Sequence, residues 1–98
     1  MSKPATRIGD ADIPHDCETP YRAEGSPDVY VNGIPWSRQG DNNTVHHYTP
    51  ICQPTHAMPI ATGSGSVFIN GKGAGRVGDS VAGCTAVAEG SDDVFAGD

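Results

Sequence analysis

The chain contains four histidines and three cysteines, and all seven lie in three segments that each follow an Arg-x-Gly-Asp sequence. Five residues after the aspartate of each sequence stands a residue that can bind a metal ion: His15, His46 and Cys84. Zn²⁺ accepts imidazole nitrogen and thiolate sulfur together. If threefold symmetry relates the segments, residues at a shared offset converge on its axis. The spacing therefore predicts a metal site on that axis.

A fourth ligand is available in the second segment, which is the longest and carries His56. Three imidazoles and one thiolate form a closed tetrahedral zinc site of the structural kind. A closed shell leaves no position for an activated water molecule. The predicted zinc ion, one per chain, is therefore structural, and we expect no enzymatic activity.

The sequence leaves other ligand sets open. One alternative pairs each remaining cysteine with a nearby histidine, and another exchanges His46 for its neighbour His47. A third is a zinc hydrolase, which needs an open coordination position and a carboxylate base. The residues concerned are His15 with Cys17, Cys52 with His56, and for the hydrolase His15, His46 and His56 with Asp16 or Glu18 as the base.

The ligand-bearing segments connect copies of one repeat. A middle repeat, Gly25–Asp41, reads GSPDVYVNGIPWSRQGD, and a last repeat, Gly63–Asp79, reads GSGSVFINGKGAGRVGD. Gly90–Asp98 and Met1–Asp10, at the two ends of the chain, supply the halves of a third copy, the split repeat. Such units bury their apolar faces against one another. We expect residues 1–98 to form one pseudo-threefold domain with its termini side by side.

Each repeat carries a short β-branched and aromatic run that predicts a strand: Val29–Val31, Val67–Ile69 and Val94–Ala96. The first two runs end in Asn-Gly, which favours a two-residue hairpin turn. Because side chains alternate along a strand, the first valine of each run faces one way and the aromatic residue the other. Both faces are apolar, so either the monomer covers both or one face binds a partner.

Composition excludes several classes of protein. The chain has 98 residues with no leucine, 13 glycines and 8 prolines, which predicts a thin core of strands and turns without helices. A net charge of −6 argues against nucleic acid as a partner. The N-terminus has no apolar leader, so we expect synthesis in the cytoplasm, where thiols stay reduced.

Beyond these inferences, the chain resembles the PAAR-repeat family. The namesake tetrapeptide is degraded at Pro4–Arg7, Pro35–Arg38 and Gly73–Arg76, but Gly-Ser-x-x-Val, Asn-Gly and Arg-x-Gly-Asp match along the whole chain. The resemblance implies an all-β cone of short strands and tight turns that caps a trimeric β-helical spike. It also implies a zinc near the apex held by three histidines and one cysteine, the same composition as the set His15, His46, His56 and Cys84.

The resemblance further implies the tip of a contractile injection machine. Because the repeats begin and end with the chain, we expect a tip without a fused effector. Such a tip sits on a phage tail baseplate and helps the spike pierce the target cell envelope; a type VI secretion tip is the alternative. One chain with three similar strands can meet a trimer while remaining a monomer. We expect Tyr30, Phe68 and Phe95 to lie at the docking base.

Overall fold

The computed structural model describes residues 2–14, 18–47 and 55–98, and within these ranges the protein is all-β, with no helix. Ten strands of two residues form five antiparallel pairs in the described part. They are β1 (Lys3–Pro4), β2 (Tyr30–Val31), β3 (Ile34–Pro35), β4 (His46–His47), β5 (Thr55–His56), β6 (Phe68–Ile69), β7 (Lys72–Gly73), β8 (Ser80–Val81), β9 (Thr85–Ala86) and β10 (Phe95–Ala96). No helix long and apolar enough to cross a membrane occurs among the described residues.

The two Asn-Gly hairpins form as the sequence predicts. β2 pairs with β3 and β6 pairs with β7, each across a two-residue turn. Asn32 and Asn70 both have φ of 55°, and the glycines that follow have φ of 77° and 79°. Positive φ at both central positions is what a type I′ turn requires. β2 and β6 are each one residue shorter than predicted: they begin at the aromatic residue, and Val29 and Val67 lie just before them.

The third hairpin is assembled from the two ends of the chain. β1 pairs with β10, with Pro4 opposite Phe95 and Lys3 opposite Ala96. The register matches that of the covalent hairpins, where Pro35 lies opposite Tyr30. The termini therefore meet where the other two repeats have their Asn-Gly turn.

The connecting segments form two further pairs that the sequence analysis did not predict. β4 pairs with β5 so that His46 lies opposite His56. β8 pairs with β9 across a turn that contains Cys84. The structured part of the fold therefore extends beyond one strand and one turn per repeat.

A closed cycle of main-chain hydrogen bonds joins the three repeats. Ser37 N donates to Thr6 O (3.0 Å), Thr6 N to Gly75 O (3.1 Å) and Gly75 N to Ser37 O (2.9 Å). These residues occupy the same position in the three repeats, directly before the arginine. A Cβ atom on Gly75 would overlap the carbonyl oxygen of Ser37, so only glycine fits there. The cycle encloses a pseudo-threefold axis.

The Arg-x-Gly-Asp turns form a second cycle around the same axis. In each turn the aspartate accepts hydrogen bonds from the backbone N–H and the guanidinium of the arginine, which raises the pKa of that arginine. Nη1 of each arginine also reaches the next repeat over 2.8–3.0 Å. These contacts are Arg7 to Asn32 Oδ1, Arg38 to Asn70 Oδ1 and Arg76 to the Gly97 carbonyl. The turns are therefore structural: each one is closed by its own ion pair and tied to the next repeat.

Two small apolar clusters fill the interior of the described part. The first has Val31, Ile69 and Ala96 from the strands together with Ala5, Trp36 and Ala74, and the first valine of each predicted strand packs against it. The second consists of Ile60, Val81 and Val87, with Met58 and Cys84 packed against it. The molecule measures 38 × 24 × 24 Å, so one axis is much longer than the other two.

Two buried hydroxyls in the central cycle, Thr6 Oγ1 and Ser37 Oγ, have no hydrogen-bond partner among the described residues. A buried polar group without a partner costs about 1–3 kcal/mol. We therefore expect Thr6→Val and Ser37→Ala each to raise the free energy of unfolding by about 1 kcal/mol, which in a chain of this size raises Tm by about 4–8 °C. Thermal denaturation followed by circular dichroism measures the shift.

The matched control is Ser26→Ala, because Ser26 is also buried but its hydroxyl donates to Asn70 and accepts from Val29 N. That substitution is expected to lower Tm. A fall in Tm for Ser37→Ala as large as that for Ser26→Ala would show that the Ser37 hydroxyl is hydrogen-bonded after all.

Candidate metal centre

The side chains of His46, His56 and Cys84 meet at one point. His46 Nε2 lies 2.9 Å from His56 Nε2 and 3.2 Å from Cys84 Sγ, and Cys84 Sγ lies 3.6 Å from His56 Nε2. His46 is 1% exposed, while the other two side chains are half-buried. Three ligand atoms directed at one another at these separations form a group that could hold a metal ion.

Local structure explains how these side chains come together. The register of β4 and β5 places His46 directly opposite His56, although ten positions separate them in the chain. Cys84 lies in the turn after β8, where Gly83 has φ of 63° and Cys84 N donates to Val81 O. Each ligand therefore comes from a pair of short strands rather than from an unconstrained loop.

The hydrogen bonding of His46 favours metal binding. Its Nδ1 lies 2.8 Å from the Thr44 carbonyl oxygen, which can only accept a hydrogen bond. In the neutral imidazole Nδ1 therefore carries the proton, and the lone pair of Nε2 faces the cluster. A second hydrogen bond of this kind is the usual device that fixes the orientation of a metal-binding histidine.

The donor set fits zinc. Zinc lies about 2.0–2.1 Å from nitrogen and about 2.3 Å from sulfur, so neighbouring ligand atoms in a tetrahedral site are about 3.3–3.6 Å apart. The 3.6 Å between Cys84 Sγ and His56 Nε2 lies in this range, and the two separations from His46 Nε2, 2.9 and 3.2 Å, are shorter. When bound, zinc would link the second and third connecting segments without supplying any chemical reactivity.

The structure brings together three of the four predicted ligands. His15, the fourth, lies outside the described residues, as do Cys17 and Cys52 of the rival set and Asp16 of the hydrolase alternative. In the described part His46 belongs to the cluster. Only the backbone of its neighbour His47 is described, where it pairs with Thr55.

A buried polar network that the sequence analysis missed lies near this cluster in the chain. The Asp12 and Arg22 side chains form a two-point ion pair (2.8 and 3.0 Å), and both are fully buried. Asn43 Nδ2 donates to Asp12 Oδ2 (3.0 Å), and Arg22 Nη1 donates to the Asp41 carbonyl (3.1 Å). The network therefore joins the first and second connecting segments.

A comparison with protein families finds that residues 52–98 match the PAAR motif. Residues 52–98 belong to the PAAR-motif family. The matched range includes the last repeat, His56, Cys84 and the C-terminal half of the split repeat. A search of curated proteins finds no match.

PAAR-motif proteins are structural spike tips of contractile injection systems, not enzymes, and they cap trimeric spikes. The family therefore agrees with a structural role for the metal cluster. The hydrolase alternative finds no support in it.

At the three hairpins, the aromatic side chains point into solvent. Tyr30, Phe68 and Phe95 are 54%, 59% and 51% exposed and occupy the same position in the three repeats. The valines that precede them in the chain are half-buried against the first apolar cluster. Of the two apolar strand faces, the valine face fills the interior and the aromatic face is left uncovered.

Two carboxylates beside these hairpins are held by asparagines of the neighbouring repeat. Asn32 Nδ2 donates to Asp93 and Asn70 Nδ2 donates to Asp28, each over 2.9 Å. These hydrogen bonds are the main cause that lowers the pKa of both carboxyl groups below 3.8. Because the folded-state pKa is lowered, these hydrogen bonds stabilise the folded protein at a pH above the unfolded-state pKa. This stabilisation is lost as the pH falls through the folded-state pKa.

We expect Asn32→Gly to raise the pKa of Asp93 towards 3.8, since glycine keeps the positive φ but removes the amide donor. Carboxyl chemical shifts in an NMR pH titration measure this change. Asp28 is the internal control because its donor is Asn70, so its pKa should stay unchanged. Equal shifts at both carboxyls would contradict the pairing.

Proposed function

We propose that this protein is the zinc-stabilised tip of a contractile phage tail, a small pseudo-threefold cone that caps a trimeric β-helical spike and sharpens it for piercing the target envelope. The observation that carries the proposal is the closed cycle of contacts among Thr6, Ser37 and Gly75, which arranges three equivalent hairpins of one chain around an axis. A single domain over residues 1–98 can thus present three similar contacts to three identical spike chains. The tip itself is a monomer.

The apex of the cone is the metal centre. His46, His56 and Cys84 supply three ligands of one structural zinc ion, and His15 supplies the fourth. The support for His15 is its offset, five residues after Asp10, which equals the offset of His46 and Cys84 in their segments. A closed three-histidine, one-cysteine shell is typical of a site that stabilises rather than catalyses.

The base of the cone is the aromatic face. Tyr30, Phe68 and Phe95 expose more than half of their surface each, which a chain with so few large apolar residues would be expected to bury. Three equivalent aromatic side chains fit a threefold partner surface. The main-chain edges of the short strands beside them can continue the strands of the spike.

The origin of the machine is a choice between a phage tail and a type VI secretion spike. The short acidic repeat domain resembles phage tips, so the phage tail is preferred and the secretion spike is the alternative. In both, the protein is made in the cytoplasm and assembled onto the spike.

Co-purification tests the function. The tagged chain is expressed with the C-terminal β-helical fragment of each trimeric spike protein encoded in the source genome, phage and secretion type separately. We expect one tip per trimer with a phage spike fragment. Binding only to a secretion spike would select the alternative, and binding to neither would contradict a role as a spike tip.

A further inference from the structure

Six residues, three polar and three apolar, form a layer that lies close to the metal ligands in the sequence. Each connecting segment contributes two of them. The first stands two residues after the aspartate of the Arg-x-Gly-Asp turn, and the second stands three residues before the next Gly-Ser. Isolated β-bridges join these positions from segment to segment around the axis. The bridged pairs are Arg22 with Asn43, Ile60 with Val81, and Asp12 with Val87.

The apolar half of this layer supports one ligand. Ile60, Val81 and Val87 form a buried cluster, and Cys84 packs directly against it. Cys84 N also donates to Val81 O (2.9 Å). Packing and one turn hydrogen bond are therefore enough to place the thiol.

The polar half of the layer fastens the strand pair that carries the other two ligands. Asn43 N donates to Met58 O (3.0 Å), and Met58 N donates to Asn43 Oδ1 (2.9 Å). Asn43 stands three residues before His46, and Met58 stands two residues after His56. This double contact closes the β4–β5 pair at the end where the chain enters and leaves it.

Asn43 is itself held by the buried ion pair. Its Nδ2 donates to Asp12 Oδ2, which also accepts from Arg22 Nη2, so both the nitrogen and the oxygen of the Asn43 amide are hydrogen-bonded. The carbonyl of the next residue, Thr44, accepts the hydrogen bond from His46 Nδ1, and Thr44 N donates to Tyr21 O beside Arg22. A continuous chain of contacts thus leads from the ion pair to the imidazole of His46.

Stability alone does not require this polar network. Replacing a buried ion pair by apolar residues of similar volume is often neutral or stabilising. In this chain the apolar half of the layer occupies equivalent positions with Ile60, Val81 and Val87. The network costs desolvation that an all-apolar layer would avoid, and it adds fixed hydrogen bonds beside two metal ligands.

We propose that Asn43, fixed by the Asp12–Arg22 pair, is a positioning residue that preorganises His46 and His56 for the metal ion. The inference rests on the proposed metal centre. Residues that orient metal ligands in this way typically contribute 10–100-fold to metal affinity. Asn43→Leu, which keeps the side-chain shape but removes both amide contacts, is expected to weaken Zn²⁺ binding at least about 10-fold.

The measurement is competition for Zn²⁺ against a chromophoric chelator, with the absorption spectrum of the Co²⁺-substituted protein as a second readout. Asn43→Leu should alter the Co²⁺ ligand-field bands while keeping the thiolate charge-transfer band of Cys84. Ile69→Ala is the matched control, because Ile69 lies in the other apolar cluster. It should lower Tm and, because metal binding is coupled to folding, also the apparent affinity, but it should leave the Co²⁺ spectrum unchanged.

A second variant replaces the three polar residues of the layer by the residue types found at the equivalent apolar positions: Asp12→Val, Arg22→Ile and Asn43→Val together. It is expected to fold, with Tm equal to or above that of the wild type, and still to bind Zn²⁺ at least about 10-fold more weakly. Affinity within twofold of the wild type in either folded variant would overturn the positioning role. A wild-type protein that binds no Zn²⁺ would instead overturn the metal centre, and this inference with it.

Discussion

Removal of the metal ion by a strong chelator is expected to unfold the protein at room temperature. Of the ten buried hydrophobic residues in the described part, four are alanines, Ala5, Ala11, Ala74 and Ala96, so the apolar core is small. A structural zinc contributes about 10–16 kcal/mol in small zinc-finger peptides. That is as large as the whole stability of a typical domain, about 5–15 kcal/mol.

Circular dichroism and intrinsic fluorescence of Trp36, which is buried beside the central cycle, report the unfolding. Adding Zn²⁺ back in excess of the chelator is the control and should restore the signal. Acid should also release the metal, because protons compete for thiolate and imidazole ligands. A Tm that stays the same after complete removal of zinc would show that the strand contacts suffice.

Loss of spike binding is the second large expected effect, in a variant that carries Tyr30→Glu, Phe68→Glu and Phe95→Glu together. Three buried carboxylates at the base would have to be desolvated without partners, which abolishes docking. The three side chains are more than half exposed in the isolated protein, so zinc content and fold should be retained. Co-purification with the spike fragment and elemental analysis measure the two properties.

Tyr21→Glu is the matched control for the triple variant, since Tyr21 is also an exposed aromatic residue (46%) but lies in the first connecting segment. It should bind the spike normally. Normal binding by the triple variant would show that the aromatic face does not dock on the spike. If the triple variant instead unfolds, the aromatic side chains support the fold, contrary to their exposure.

The repeat hairpins were predictable because their signals are local. Asn-Gly adopts positive φ at both positions, and the same spacing in each repeat places Val31 and Ile69 at equivalent core positions. The β4–β5 and β8–β9 pairs were not predicted. Their strands are two residues long and contain at most one apolar residue each, so neither alternation nor β-branched composition marks them.

The polar network was missed for a different reason. Asp12, Arg22 and Asn43 are residue types that are mostly exposed, and from sequence alone each is best read as a surface group. The available signal was again the offset: Asp12 and Asn43 stand where the third connecting segment has Val81, and Arg22 stands where the others have Ile60 and Val87. A polar residue at an offset that is apolar in another repeat predicts a buried, paired group.

For the metal cluster, the shared offset predicted that His46 and Cys84 would converge, and the longer second segment predicted the added His56. Their meeting within hydrogen-bonding distances depends on the register of β4 and β5, which sequence could not specify. The part of His15 in the site stays a prediction, because that residue lies outside the described ranges.

Native mass spectrometry of the purified protein, with zinc counted by elemental analysis, tests the central claim most directly. A tip stabilised at its apex by His15, His46, His56 and Cys84 should carry one zinc ion per monomer. Cys84→Ser and His15→Ala should each lower that content, whereas Cys17→Ser and Cys52→Ser should leave it unchanged. A wild-type chain without stoichiometric zinc, or zinc that persists in Cys84→Ser and disappears in Cys17→Ser or Cys52→Ser, would contradict the account.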